Sequence, residues 1–403
     1  MSRSGRGHVT GPLAGHAEGF REDLLGQGYS WGSAAHQIHL MAHVSRWLEA
    51  SGLGPADLSD SAARRFAAAR RADGYAAMRS ASALAPLLGY LRGLGMTAPS
   101  QMPEPRVPAD RLAAWFGEYL AGERGLAADS VRSYTGVARR FLAEVAIGDG
   151  CRVEGLTAAE VTGFVRRECG RRGVASAKAT VTGVRALLRF LYLDGQITAP
   201  LAGAVPSAAC WQLAALPRGV SPADLAFLMD SCDRRTVAGR RDLAILLLLA
   251  RLGLRAGEVA ALDLGDINWR RGEITVRGKG SRRDSLPLPA DVGEAIAGWL
   301  AGGRPRNVAC PAVFVRLRAP HGRLASTSVS FVVRRGCARA GIAAAGAHRL
   351  RHTAAAGMLA AGGTLAEIGQ VPRHARPGTT AIYAKADVLA LSPLARPWPG
   401  SQR

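Results

Sequence analysis

His348-Arg349-Leu350-Arg351-His352, followed by His374 and, beyond Arg376-Pro377-Gly378 and Thr379-Thr380, by Tyr383, is the stretch on which the reading of this chain turns. In a helix, positions i, i+3 and i+4 share a face, so His348, Arg351 and His352 can converge on one anion. Upstream, Gly253-Leu254-Arg255-Ala256-Gly257-Glu258 adds a second arginine and a carboxylate, and Gly278-Lys279-Gly280 adds a lysine. Breaking a phosphodiester without a cofactor needs a nucleophile, cations on the non-bridging oxygens and a proton for the leaving oxygen. Tyr383 is the only one of seven tyrosines placed beside this cluster. A phenol with pKa of about 10 lies about three units above neutrality, so its phenolate costs ~4 kcal/mol unless a base or nearby cations help. Arg255 and Arg351 offer planar, bidentate donors for phosphate oxygens.

Lysine is rare in this chain: of 52 basic residues only Lys178, Lys279 and Lys385 are not arginine. A lysine between two glycines is then poorly explained by charge alone. Arginine holds its proton to a pH above ~12, whereas lysine releases one when its surroundings lower its pKa. Lys279 is therefore the candidate proton donor.

Arg255, Lys279, the His348-x-x-Arg351 pair, His374 and Tyr383, in that order and spacing, closely resemble the tyrosine recombinases, or phage-integrase-type site-specific recombinases. The resemblance covers about 180 residues of the C-terminal half well and the preceding hundred more weakly. It implies that Tyr383 attacks the scissile phosphate to give a 3′-phosphotyrosyl link, while Lys279 protonates the leaving 5′ oxygen, which departs as a free hydroxyl. By the same resemblance His348 hydrogen-bonds the phosphate and shuttles the tyrosine proton, His374 supports the transition state and Glu258 steadies the pocket. Bond energy is kept in the phosphotyrosine, so religation needs no cofactor, ATP or metal. The implied function is site-specific recombination or integration serving a mobile element, by a tetramer assembled on two double-stranded DNA sites, with partner recombinases as possible companions. An inactive DNA-binding protein of the same fold and a type IB topoisomerase remain as alternatives. One departure stands out: Gln370-Val371-Pro372-Arg373-His374 carries proline where the family usually has leucine and a small residue. Inside a helix, proline removes a backbone bond at a cost of ~3 kcal/mol. The His348/His352 spacing suggests zinc on its face, but Arg349 and Arg351 crowd it with positive charge and the H-E-x-x-H glutamate is absent, so no metal is expected.

At 403 residues the chain is long enough for two or three domains, each with a core. Its longest apolar run, the eight residues Leu243 to Ala250, is far short of the ~20 that span a bilayer. The basic N-terminus leads into no apolar segment, and the expected location is the cytoplasm, away from membranes. Six cysteines with no C-x-x-C pair fit neither a zinc module nor a disulfide framework. Positive charge is unevenly placed: residues 1–105 carry 10 basic and 8 acidic residues, 106–215 carry 14 and 10, and 216–403 carry 28 and 13. A surplus on the last third points to a polyanion there, nucleic acid first among candidates.

The expected fold is mainly α with a small antiparallel β-sheet in a C-terminal catalytic domain, the whole forming a multidomain DNA clamp. Residues 1–105 read as a helical domain of unassigned role: irregular to about residue 28, then helices over 33–50, 61–71 and 76–95. Residues 106–200 read as a four-helix core-binding domain, with helices over 108–122, from a cap at Asp129 or Ser130, over 157–169 behind a Thr157/Glu160 capping box, and over 176–193. Arginines and a lysine line those helices, and Arg132, Arg139, Lys178 and Arg185 are the expected phosphate-backbone contacts. Residues 201–217 read as a proline-bearing linker, 218–396 as the catalytic domain and 397–403 as a tail. In the catalytic domain, 273–277 and 285–288 alternate like a hairpin with Lys279 near its tip.

Overall fold

The structure, a computed structural model, describes residues 8–99, 108–145, 153–171, 173–207, 219–278, 283–306, 308 and 310–364. They form two compact units, one drawn from Met1–Ala98 together with Leu213–Arg403, the other from Pro99–Gln212. Each of the three segments has its own apolar core.

In the first segment, α1 (Ala17–Gly26), α2 (Trp31–Ala50), α3 (Asp60–Ala72) and α4 (Ala85–Gly93) enclose Phe20, Leu24, Met41, Leu48, Phe66 and Leu91. Residues before 28, expected to be irregular, instead form a 3-10 turn over Gly11–His16 and then α1. Leu13, Phe20 and Leu24 recur at helical spacing beneath the glycines, and the Ser45 hydroxyl fastens the turn by accepting from Leu13 N at 3.0 Å and donating to Thr10 O at 2.5 Å. The helix expected over 76–95 is also corrected. The chain bends through Met78 at φ 50°, makes a 3-10 turn over Ala81–Leu84, and only then enters α4. Pro86 is the reason: it is harmless in a helix's first turn, where its missing N–H has no partner to lose, and disruptive in the middle.

The second unit is built from α5 (Pro108–Gly122), α6 (Ala128–Val145), α7 (Ala158–Gly170) and α8 (Val174–Leu193). Phe190 packs at its centre among Trp115, Phe116 and Tyr119, with ring centroids 5.1 to 5.5 Å away. Thr157 and Glu160 form the expected capping box: Thr157 Oγ1 accepts from Glu160 N at 3.3 Å and Glu160 Oε2 accepts from Thr157 N at 2.8 Å. The cap expected at Asp129 or Ser130 is displaced. α6 starts at Ala128, the Ala127 carbonyl takes the Ser130 and Val131 N–H groups, and Asp129 pairs with Arg132. Chain beyond Pro200 still belongs to this core, through Val205 and the packed Leu201 and Ala202.

The third segment contains α9 (Pro222–Asp230), α10 (Val237–Arg251), α11 (Ala256–Ala261), a sheet of β1 (Ile267–Asn268), β2 (Glu273–Arg277) and β3 (Arg283–Pro287), then α12 (Ala290–Gly302), α13 (Ser326–Arg339) and α14 (Ala347–Ala360). α10 is buried on every side from Leu243 to Ala250 because α12, α13 and α14 all pack on it. The sheet is antiparallel in the order β1-β2-β3, with Ile267 opposite Ile274 and Ile274 opposite Leu286. β3 begins two residues earlier than its alternation suggests, and β1 is too short to carry a pattern of its own. The fold is thus mainly α with one small antiparallel sheet. No helix among the described residues is long and apolar enough to cross a membrane.

Candidate active site

α10 ends at Arg251, and the chain reverses through Gly253 at φ +58°, where a side chain would be strained. The turn packs against α14: a Cβ there would meet Ala354 Cβ at 3.5 Å and Arg351 Cγ at 3.8 Å, ordinary contact distances. This close approach lets the Arg351 guanidinium, buried to 1 % exposure, donate from Nη1 to the Gly253 carbonyl at 2.5 Å. A buried guanidinium demands acceptors, and the main-chain carbonyl of the turn after α10 supplies one.

Two residues on, Arg255 stands at the N-cap of α11 in extended conformation. Its backbone N–H donates to Glu258 Oε2 and its Nη1 to Glu258 Oε1, both at 2.7 Å. Glu258 is buried, with only 5 % of its side chain exposed, whereas Arg255 keeps 44 %. The carboxylate fixes the Arg255 backbone and guanidinium together.

His348 is the second residue of α14, and Arg351 and His352 follow on the next turn. The His348 and His352 rings meet edge to face with centroids 4.4 Å apart. Lost hydration, then the charges of Arg351 and Arg255, hold His348 below the ordinary histidine range. Lost hydration, then His348 and Arg351, push His352 down to about 4. Both rings are therefore neutral at pH 7, and a neutral imidazole can accept a proton. That Arg255 and Arg351 both act on His348 places the three in one electrostatic neighbourhood. Among the described residues no group of three or more His, Cys, Asp or Glu side chains is arranged to hold a metal.

Arg349 turns away from this cluster, donating to Ala344 O at 3.2 Å and Gly219 O at 3.1 Å. Thr353 Oγ1 accepts from Val220 N at 2.8 Å, so α14 is stitched to the start of its domain on the face opposite Arg351. Sequence reasoning missed this stitch, and it missed the anchorage of the hairpin: Arg277, the last residue of β2, pairs with Asp263 and Asp266, and Arg323 also pairs with Asp263. The Asp263/Asp266 spacing, which makes a capping box, was the available signal. Lys279, His374, Tyr383 and Pro372 lie outside the described residues.

The four expected backbone contacts sit in the other unit. Arg132 and Arg139 are exposed, paired with Asp129 and, at 3.8 Å, with Asp110. Lys178 is half-buried on α8. Arg185 serves its own domain, donating from Nη2 to Val205 O at 2.9 Å and Ser207 Oγ at 3.1 Å.

A helical domain in which two arginines and a neutral histidine share one electrostatic neighbourhood, and which also carries a small antiparallel sheet, suits a phosphoryl-transfer enzyme of the tyrosine-recombinase class. Residues 220–389 match the model of the phage integrase family. The putative integrase/recombinase y4rA of Sinorhizobium fredii is 40% identical over 395 residues, covering 97% of this chain and 95% of that protein. Tyrosine recombinase XerC of Shewanella amazonensis is 30% identical over 70% of this chain and 94% of its own. Among solved structures, XerH site-specific recombinase in a post-cleavage complex on a palindromic difH substrate aligns with TM-score 0.57 at 17% identity, covering 74% of this chain and 99% of that one. A lambda integrase tetramer on a Holliday junction aligns at 0.53 and 15% identity, over 74% and 84%. At such identities the likeness to these structures is one of fold. The chain belongs to the phage integrase family of tyrosine recombinases and is a DNA strand-transferring, site-specific recombinase.

Proposed function

We propose that this recombinase serves a mobile element, working as a tetramer on two duplex sites in the cytoplasm, with Arg255, Lys279, His348, Arg351, His374 and Tyr383 as its catalytic set. The Tyr383 hydroxyl attacks the scissile phosphorus and its proton passes to neutral His348. The bond to the 5′ oxygen breaks as Lys279 gives that oxygen a proton, leaving a 3′-phosphotyrosyl link and a 5′-hydroxyl. Arg255 and Arg351 hold the non-bridging oxygens throughout, and His374 adds a donor to the transition state. Religation is the same step reversed with a partner strand's hydroxyl. The observation that carries the reading is Arg351 buried on the Gly253 carbonyl two residues from the Arg255–Glu258 pair, an arrangement that orders two cations before substrate arrives.

The test is covalent trapping on nicked duplexes made from the DNA that flanks the gene, with any inverted repeats found there as the first candidate sites. Wild type should give a protein–DNA adduct, and Tyr383→Phe should bind as well yet give none. An adduct that persists in Tyr383→Phe rejects the assignment of the nucleophile. Relaxation of supercoiled DNA by a monomer, without pairing of two sites, would favour the topoisomerase reading.

A further inference from the structure

The β2–β3 ladder ends on a like-charge pair. Arg277 stands directly opposite Arg283 at its last rung, and both are exposed. Like charges facing each other across two strands push apart, so a hairpin that keeps a fixed register at this end needs a countercharge. It has two. Arg277 Nη2 meets Asp263 Oδ2 at 3.0 Å and donates to Asp266 Oδ1 at 3.0 Å. Asp266 first, and Asp263 with it, raise the Arg277 guanidinium above its ordinary value.

The two carboxylates are themselves fixed. Leu262 O accepts from Val313 N and Leu264 N donates to Pro311 O, both at 2.9 Å, so the backbone on either side of Asp263 is bonded to a segment whose Ala312, Val313 and Phe314 are fully buried. Asp266 Oδ2 accepts from Asp263 N at 2.9 Å. The other oxygen of Asp263 accepts from Arg323 Nη2 at 2.5 Å, and Arg323 Nη1 donates to Ala260 O at 3.2 Å. Burial raises the Asp263 carboxyl, but Arg323 and then Arg277 outweigh it and hold it below the usual carboxylate range. Ala260 lies in α11, whose N-cap is Arg255. One run of polar contacts thus passes from the Arg255 helix through Arg323 and Asp263 to the end of β2. Arg277 and Arg323 keep 40 % and 38 % of their side chains exposed, so these pairs add little to stability. What they supply is geometry.

We infer that Arg277 is a positioning residue for proton delivery: tethered to Asp263 and Asp266, with Arg323 holding Asp263 from its other side, it fixes where β2 ends relative to the Arg255 helix. Lys279 follows two residues later in the sequence, a lead of no more than about 7 Å even in extended chain. So short a lead has little slack to absorb a shift at its root. A reacting group misplaced by ~1 Å can lose on the order of 100-fold in rate, so a rung that splays under its own like charges is felt at the leaving oxygen. The same network ties the end of β2 to α11, six residues and about 9 Å long, and so sets the proton donor against the arginine that holds the phosphate.

This inference rests on Lys279 being the proton donor, and the experiment separates the two. In the full-length protein, Arg277→Gln is followed by single-turnover cleavage of a nicked site found by trapping, and of the same site with sulfur as the 5′ leaving atom. At saturating protein, cleavage of normal DNA should fall about 10- to 100-fold, the loss of a general acid that is present but misplaced. The sulfur substrate needs little protonation and should be cut within about twofold of the wild-type rate. Arg277→Lys keeps a charge beside both acids and should recover most of the loss. In a Lys279→Arg background, Arg277→Gln should slow normal DNA little further, because both changes remove one interaction. Equal slowing on the two substrates would make the tether structural only, and a loss confined to subsaturating protein would make Arg277 a backbone contact. Either result overturns the inference, as does an unchanged rate. Should Arg277→Gln fold poorly, Arg323→Gln, which acts on β2 through Asp263, carries the same test: slowing on normal DNA with recovery on sulfur supports the tether, and any other pattern overturns it. Failure of the donor reading shows separately, as a Lys279→Arg variant that the sulfur substrate does not recover.

Discussion

Two arginines in the domain of α9 to α14 are held differently from the ion-paired arginines in the domain of α5 to α8. In the former, Arg351 is buried on a backbone carbonyl and Arg241, 9 % exposed, grips the buried Asp242 at 2.8 Å, while Arg277, Arg323, Arg251 and Arg271 keep 38–71 % of their side chains exposed. In the latter, Arg132, Arg139, Arg140 and Arg167 meet carboxylates at the surface, and their own side chains stay 42–74% exposed. Exposed pairs contribute about 0–1 kcal/mol each and are screened by salt, whereas breaking a buried pair costs ~3–5 kcal/mol. Cations fixed before the reaction suit a transition state of one geometry, because nothing need reorganise as charge develops. Cations that can leave a weak partner suit a backbone that offers a phosphate at every step, where binding comes from counterion release.

The difference is broken most severely at Arg351. Arg351→Ala should lower single-turnover cleavage ~100- to 1000-fold, as for loss of one transition-state donor. It should also destabilise the domain, since the Gly253 carbonyl loses its partner, by about 1–3 kcal/mol. Cleavage falling less than tenfold in a protein that still folds would show that the buried arginine is structural only. Lys279→Arg comes next: it keeps the charge and most of the affinity, but should slow cleavage strongly, and a substrate with sulfur as the 5′ leaving atom should recover much of the rate. Gly253→Ala has a smaller effect. Forcing a Cβ at φ +58° costs about 1–2 kcal/mol, read as a lowered denaturant midpoint, although the Cβ itself would meet Ala354 only at an ordinary 3.5 Å.

The candidate cluster was legible in the sequence because its signal is chemical identity at fixed spacing: His348-x-x-Arg351 on one helix face, Arg255 two residues after Gly253, Glu258 three residues on. The helices of residues 108–193 were legible from apolar period, and the Thr157/Glu160 box from its own pattern. What stayed hidden was long-range. Nothing near Gly253 announces that its carbonyl will receive Arg351, 98 residues away, or that Thr353 will accept from Val220, 133 away. Local misreadings have local causes. Glycines masked the Leu13/Phe20/Leu24 period, Pro86 set a helix start inside an expected helix, and Arg132 took the carboxylate expected to cap α6. The contrast between buried and exposed arginines was invisible too, since composition counts both alike.

Acid should expose the histidine half of the site. His352 is lowered to about 4, and His348 is lowered also, each mainly by lost hydration. Between the unfolded value near 6.5 and the folded ones, the unfolded chain binds protons that the folded chain refuses. Stability is therefore fully present above pH ~6.5 and declines as pH falls toward 4. His352→Asn should flatten that decline in melting temperature, while an equally steep fall in the variant would assign the acid sensitivity elsewhere.

The smallest effect is expected where the arginines are most exposed. Arg132→Gln removes a surface pair with Asp129, at a stability change of no more than about 0.5 kcal/mol, because both side chains are more than 70 % exposed. If Arg132 tracks the DNA backbone, the same substitution lowers the log–log salt slope of duplex binding by about 0.9 and leaves the cleavage rate at saturating protein unchanged. Arg139, whose pairing with Asp110 is looser at 3.8 Å, should behave alike, and the two changes should add, since each neutralises its own phosphate. Arg185→Gln should differ from both: it frees Val205 O and Ser207 Oγ and so lowers the melting temperature of its domain. A slope that stays fixed in Arg132→Gln and Arg139→Gln would return these arginines to ordinary solvated helix faces. A cleavage rate that falls with them at saturation would erase the proposed distinction between cations that bind and cations that react.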